Sequence, residues 1–206
     1  MKSEKISEAV VRRLPLYLRY LHQLHKSNIK TVSSQDLGTK MDLNPAQIRK
    51  DLAYFGEFGK KGIGYDVDYL IEKIRQILKL DRDINVALVG AGNLGRALCT
   101  YNAYQQDLMK IVAVFDAFPG KIGDVLNGLT VLPMDKLQET IEALHIRVGI
   151  ITVPASEAQE VADRFVDAGI EAILNFAPII IKVPDPIRVH HADFTTELLS
   201  LAYYLD

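Results

Sequence analysis

At 206 residues the chain has room for one or two domains. A composition 49% hydrophobic and 24% charged excludes a disordered chain, and a single cysteine excludes a disulfide scaffold or a cysteine-rich zinc site. The net charge of −2 is unevenly spread: residues 1–80 carry 15 Lys+Arg against 9 Asp+Glu, and residues 81–206 carry 9 against 17. This points to one module for a polyanion and a second for something else, the alternative being chance segregation of solvated charges. The charged opening Lys2, Glu4, Lys5 and Glu8 lacks the apolar run of a secretory leader. Glu171, Asn175, Pro178 and Lys182 interrupt the most apolar stretch, 169–183, so a membrane span is not expected either. The expectation is a cytoplasmic chain.

Residues 6–26 read as one amphipathic helix, with Ile6, Val10, Leu14, Tyr17, Leu18, Leu21 and Leu24 on its apolar face. Pro15 within that run predicts a kink or a true helix start nearby. The run Ser33, Ser34, Gln35, Asp36 and Leu37 gives an N-cap serine before a short helix through Met41. Asp42 and Leu43 make a tight turn, and Asn44 followed by Pro45 is an N-cap with proline at the first helical position. The next helix, 45–55, carries Gln47, Arg49, Lys50 and Asp51. Two short helices joined by such a turn, the second basic near its start, make a helix-turn-helix pattern. Arg and Lys match guanine edges and Gln matches adenine. The glycine-rich, aromatic stretch 55–65 then reads as a hairpin wing with Lys60 and Lys61 at its tip. Double-stranded DNA is the expected partner, and a dimerisation or cap domain with a solvated basic face is the alternative.

Residues 83–89 form a short apolar run of strand character that feeds into Gly90, Ala91, Gly92, Asn93, Leu94 and Gly95, after which a helical run begins. A GxGxxG between a strand and a helix is the context that dinucleotide binding requires. Gly90 allows the tight turn, Gly92 a close approach to a pyrophosphate, and Gly95 close helix–strand packing. The helix N-terminus offers N–H groups to the phosphates. A second strand, 111–115, ends at Asp116, 21 residues beyond Gly95, where a carboxylate accepts from ribose hydroxyls and repels a 2′-phosphate. NAD(H) is therefore favoured over NADP(H), with a dead or CoA-type site as the alternative. Further strands at 148–153, ended by Pro154, and at 172–176 flank a helix over 155–168 closed by Gly169, as in a doubly wound parallel-sheet α/β domain.

Asp193 is a good N-cap for a terminal helix whose second half is apolar on nearly every side. A helix of that kind at the chain end predicts a homodimer, with the helix packed or swapped between copies. His190 and His191 read as linker residues, Cys99 as a packing thiol, and His22 and His25 as solvated; no metal site is expected. No carboxylate dyad, Ser/His/Asp grouping or HExxH is present, so no catalytic residue is nominated.

The stretch from Gln47 through Gly56 and on to Tyr65, the run Leu174-Asn175-Phe176-Ala177-Pro178, and the glycine turn together resemble the redox-sensing transcriptional repressors Rex of Gram-positive and related bacteria. The resemblance spans essentially the whole chain. It implies a winged helix-turn-helix domain over 1–80, a Rossmann NAD(H)-binding domain over 81–190 and a swapped helix over 191–206 in a homodimer. It implies a repressor that holds palindromic operators when NADH is low and is released when NADH rises. Candidate nucleotide contacts are the six residues of the glycine turn with Tyr101, Asp116 and Pro154. Candidate DNA contacts are Ser34, Gln47, Arg49, Lys50, Tyr54, Lys60 and Lys61, the last standing where the family usually has arginine. Arg19, Tyr101 and Asp193 fall where the family has a redox-dependent interdomain contact. The readings from other classes are an NAD-dependent dehydrogenase with an accessory N-terminal domain, and a CoA-binding α/β domain, which Asp116 disfavours.

Overall fold

A computed structural model describes residues 6–54, 59–60, 64–80, 83–104 and 109–205. The chain divides into two compact units, Met1–Arg82 and Asp83–Asp206.

In the first unit, α1 (Glu8–Lys26) is capped by Ser7 and buries Val10, Leu14, Tyr17, Leu18, Leu21 and Leu24 along one face. The helix runs through Pro15, whose exposed position lets it lose one backbone bond without disturbing the core. After β1 (Thr31–Val32), Ser33 opens α2 (Ser34–Met41) with a full capping box: its hydroxyl accepts from the Asp36 N–H, and the Asp36 carboxylate accepts from the Ser33 N–H. Asp42 adopts a left-handed conformation, φ 52°, to end α2. Asn44 then caps α3 (Pro45–Ala53) by accepting from the Ala46 N–H. Gly38 permits this tight pair of helices, since a Cβ there would stand 2.6 Å from the Leu43 carbonyl oxygen. β2 (Gly59–Lys60) and β3 (Gly64–Asp66) pair antiparallel, and β3 also pairs with β1, giving the order β1-β3-β2. α4 (Val67–Ile77), capped by Asp66, returns Val67, Leu70 and Ile74 to the core. Neither β1 nor α4 is anticipated above. The tip of the wing, Lys61 included, lies outside the described residues, as does Phe55.

The second unit is a seven-stranded sheet with helices against both faces. In chain order its elements are β4 (Ile84–Val89), α5 (Asn93–Tyr104), β5 (Met109–Asp116), β6 (Val125–Leu126), β7 (Leu129–Pro133), α6 (Leu137–Ala143), β8 (Val148–Ile151), α7 (Ala155–Asp167), β9 (Ala172–Asn175), β10 (Arg188–His191) and α8 (Phe194–Leu201). The strand order is β10-β9-β8-β4-β5-β7-β6, parallel throughout except for the short β6–β7 pair at one edge. Central strands covered on both faces read as near-continuous apolar runs, as β4 does from Val86 to Val89. Ala87, Val89, Ala113 and Phe115 face α6 and α7, while the alternate residues Leu88 and Val114 face α5 and Cys99. Gly169 ends α7 with φ +84°, as its C′ position requires.

His190 and His191 correct the sequence reading. They are not linker residues; they lie in β10, an edge strand paired in parallel with β9. A four-residue strand at the sheet edge buries little, so it has no apolar alternation to betray it. Asp193 caps α8 as expected, accepting from the N–H groups of Thr195 and Thr196. α8 and the turn after it leave Phe194, Leu199, Tyr203, Tyr204 and Leu205 each more than two-thirds exposed.

Candidate functional site

The parallel sheet changes direction at β4: β5 leaves to one side and β8 to the other. A crevice outside the C-terminal ends of strands at such a switch point is where doubly wound sheets bind ligands. Here it is a cleft of about 740 Å³ that Gly90, Gly92, Asp116 and Pro154 all line.

Each glycine of the turn has a distinct role. Gly90 holds φ +109°, and a Cβ on it would meet the Thr152 carbonyl oxygen at 2.7 Å. Gly95 is buried where α5 crosses the turn; a Cβ there would stand 2.0 Å from the Gly90 carbonyl oxygen. Gly92 has nothing within 4 Å of its would-be Cβ, so it keeps open space over the cleft. α5 starts at Asn93, which brings its first-turn N–H groups to the cleft rim. Thr152 locks the turn from β8, its hydroxyl lying 3.0 Å from the Val89 carbonyl oxygen and 2.8 Å from that of Gly90. Nothing in the sequence around Thr152 marks it, because the partner strand becomes a neighbour only through the fold.

Asp116 ends β5 almost fully buried. Its Oδ2 accepts from the Ala91 N–H at 2.7 Å and its Oδ1 from the Phe118 N–H at 2.8 Å. The Lys121 ammonium lies 3.0 Å from Oδ2. Burial alone would raise this carboxyl, but the Phe118 N–H, the Lys121 ammonium and the Ala91 N–H outweigh it and hold the group below the usual carboxylate range. Ala91 is thus a structural member of the turn. Asn93 and Leu94 are exposed on the first turn of α5, and Tyr101, 62% exposed, lies two turns along the same helix and outside the cleft lining. Burial raises the Cys99 thiol, as suits an inert packing residue.

The first unit presents α3 as its basic surface. Arg49 and Lys50 are exposed, and the Arg49 guanidinium donates to the Ser34 hydroxyl at 3.0 Å, so two candidate contacts meet at the start of α2. Tyr54 is 42% exposed at the end of α3. Gln47 is turned inward instead: its amide donates to Asp51 at 2.6 Å. Asp51 is fully buried and also receives the Arg13 guanidinium through two bonds, 2.6 and 2.9 Å, and the Tyr17 hydroxyl at 2.7 Å. This cluster ties α1 to α3 and so fixes the attitude of the basic helix. Burial pushes the Asp51 carboxyl up, but the hydrogen bonds from Arg13, Tyr17 and Gln47 override it and hold the group low. Lys60 pairs through its backbone in the wing. Arg19 is exposed on α1. His25 is exposed and bonds Asp68 at 2.5 Å, and His22 is half-buried. Among the described residues no group of three or more His, Cys, Asp or Glu could hold a metal ion.

Comparison with known proteins places both units. Residues 5–53 match the family model "Putative DNA-binding protein N-terminus", and residues 81–179 match "CoA binding domain". The redox-sensing transcriptional repressor Rex of Brevibacillus brevis is 60% identical over 204 residues, covering 99% of each chain. The Rex of Carboxydothermus hydrogenoformans is 47% identical and covers 98% of each. A solved structure of RSP in complex with β-NAD+ and operator DNA is 38% identical, with TM-score 0.89 over 97% of this chain and 92% of that one. RSP in complex with β-NADH is 37% identical, with TM-score 0.85 over 97% and 93%. With identity of this order along the whole chain, the protein belongs to the Rex family of redox-sensing transcriptional repressors.

Proposed function

We propose that this chain is an NADH-responsive repressor: it holds a palindromic operator as a homodimer when NADH is low and releases it when NADH rises. The observation that carries the reading is the pairing, in one chain, of a glycine-turn cleft closed by Asp116 with a helix-turn-helix whose exposed face is Arg49 and Lys50. The cleft fits a dinucleotide. Gly92 leaves room over the turn, the first turn of α5 supplies N–H donors for a pyrophosphate, and the free capacity of Asp116 faces a ribose. Both NAD+ and NADH fit these contacts, and the nicotinamide ring, cationic or neutral, distinguishes them.

The dehydrogenase alternative falls, since relatives at 44–60% identity are named repressors. The apolar face of α8 is covered by a second copy in this reading, which buries a terminal helix that its own unit leaves bare. Two-fold symmetry in the protein then calls for a palindrome in the DNA. The described helices include none long and apolar enough to cross a membrane, and a repressor of this kind works in the cytoplasm.

Arg49 and Lys50 carry operator contact in this reading, with Ser34, Tyr54, Lys60 and Lys61 as further candidate contacts. In a gel shift at fixed salt, the double variant Arg49→Ala/Lys50→Ala is expected to bind operator at least about tenfold more weakly. A base-reading side chain is worth about 1–3 kcal/mol, and each lost phosphate contact lowers the salt slope by about one. Folding is spared, because the Arg49–Ser34 bond is exposed. Undiminished operator affinity in that variant would remove α3 from the interface.

The switch is assigned to Arg19, Tyr101 and Asp193, through a contact made in one arrangement of the dimer and lost in the other. Asp193 also caps α8, so the informative variant is Asp193→Asn, which keeps the cap and removes the charge. It is expected to shrink the difference in operator affinity between NAD+ and NADH; an unchanged difference would take Asp193 out of the switch.

A further inference from the structure

The ribose end of the cleft contains a charge that the glycine fingerprint does not foresee. A lone carboxylate at the end of the second strand repels a 2′-phosphate and so selects NAD(H). Asp116 is not alone. Lys121 closes the single turn Pro119–Lys121 and sets its ammonium 3.0 Å from Oδ2, and both residues line the cleft. The carboxylate has about four acceptor sites. Three are filled, two on Oδ2 by the Ala91 N–H and Lys121, and one on Oδ1 by the Phe118 N–H. One site on Oδ1 is left for a ribose hydroxyl.

We propose that Lys121 sets the dinucleotide selectivity of this cleft. Paired with Asp116, it cancels most of the negative field that a bare carboxylate would direct at the ribose. Its side chain is 34% exposed on a flexible stem, so the ammonium can also turn from Asp116 to a 2′-phosphate. The cleft therefore takes NADPH as well as NADH, with a modest preference for NADH. Removing the ammonium leaves Asp116 as the full discriminator.

The inference rests on the nucleotide reading above, and the test separates the two. The full-length protein is titrated with NADH and with NADPH at fixed salt, by calorimetry, as wild type, Lys121→Gln and Lys121→Ala. Glutamine keeps a donor for Asp116 and so protects the loop if alanine disturbs it. The wild type is expected to prefer NADH by about tenfold, and both variants to widen that ratio by roughly a further tenfold, the scale of one charge-assisted hydrogen bond lost against one repulsion gained. ADP-ribose and its 2′-phosphate, which lack the nicotinamide, are expected to show the same widening. NADH binding with an unchanged ratio in both variants overturns the role of Lys121 and leaves the nucleotide reading standing. A wild type that binds neither dinucleotide overturns the nucleotide reading and the inference with it.

Discussion

Gly95→Ala is expected to abolish useful nucleotide binding while leaving the first unit folded. The new methyl would stand 2.0 Å from the Gly90 carbonyl oxygen and 3.1 Å from a Leu88 methyl. The carbonyl belongs to a turn that is itself fixed, with Gly90 at φ +109° and its N–H donated to the Phe115 carbonyl at 2.8 Å. Neither side yields unless α5 moves off β4. Overpacking of this kind costs about 1–3 kcal/mol or more in stability. A shift of about 1 Å in the first turn of α5 misplaces the phosphate donors, and loss of positioning on that scale costs on the order of a hundredfold. Thermal melting and NADH titration check both effects. Gly92→Ala is the control for melting alone, since nothing lies within 4 Å of its Cβ position and the fold accepts the methyl, although that methyl would stand in the space the pyrophosphate needs. Wild-type NADH affinity in Gly95→Ala would mean that close packing of helix on turn does not build the site.

Asp51→Ala is expected to unfold or loosen the first unit and thereby abolish operator binding, although Asp51 itself touches no DNA in this account. The substitution strands the Arg13 guanidinium, the Tyr17 hydroxyl and the Gln47 amide around a buried hole. Breaking one side of a buried ion pair costs about 3–5 kcal/mol, a large share of the stability of a small domain. The effect is pH-dependent. Because its folded value lies below its unfolded value near 3.9, Asp51 contributes its full stabilisation above the unfolded value and loses it as pH falls through the folded one. The melting difference between wild type and Asp51→Ala should therefore be largest near neutrality and shrink in acid. A difference that stays constant down to the acid limit would show that the carboxylate's charge is not what holds α1 to α3.

These two sites also show what sequence can and cannot reveal. The helix-turn-helix is written in local chemistry: a serine cap, a turn at Asp42, and Asn44 with Pro45 act within a few residues of themselves, and the structure keeps the cap at Asn44 and settles the serine cap on Ser33. The glycine turn is legible for the same reason, and so is the end of β5 at Asp116. The Asp51 cluster is not, because Arg13 and Tyr17 lie 38 and 34 residues away along the chain. Gln47 sits in the sequence like a groove-reading residue, but this buried acid turns it inward. Lys121 lies five residues beyond Asp116, yet nothing in its neighbourhood marks it as a partner, since a single 3-10 turn brings it back. α4 carries an ordinary apolar spacing at Val67, Leu70 and Ile74 and escapes notice beside a more suggestive wing. β10 escapes because its stability comes from pairing with β9 and not from its own residues.

The central claim is that one chain couples the redox state of a dinucleotide to its grip on DNA, and reciprocity makes it measurable from either side. The most direct test is the affinity of the full-length protein for one palindromic operator at a single salt concentration, with saturating NAD+ and with saturating NADH. The account predicts tight binding with NAD+ and an affinity lower by about 5–150-fold with NADH, the range of a coupling of about 1–3 kcal/mol. Equal operator affinity with both, at nucleotide concentrations shown to fill the cleft, would contradict it.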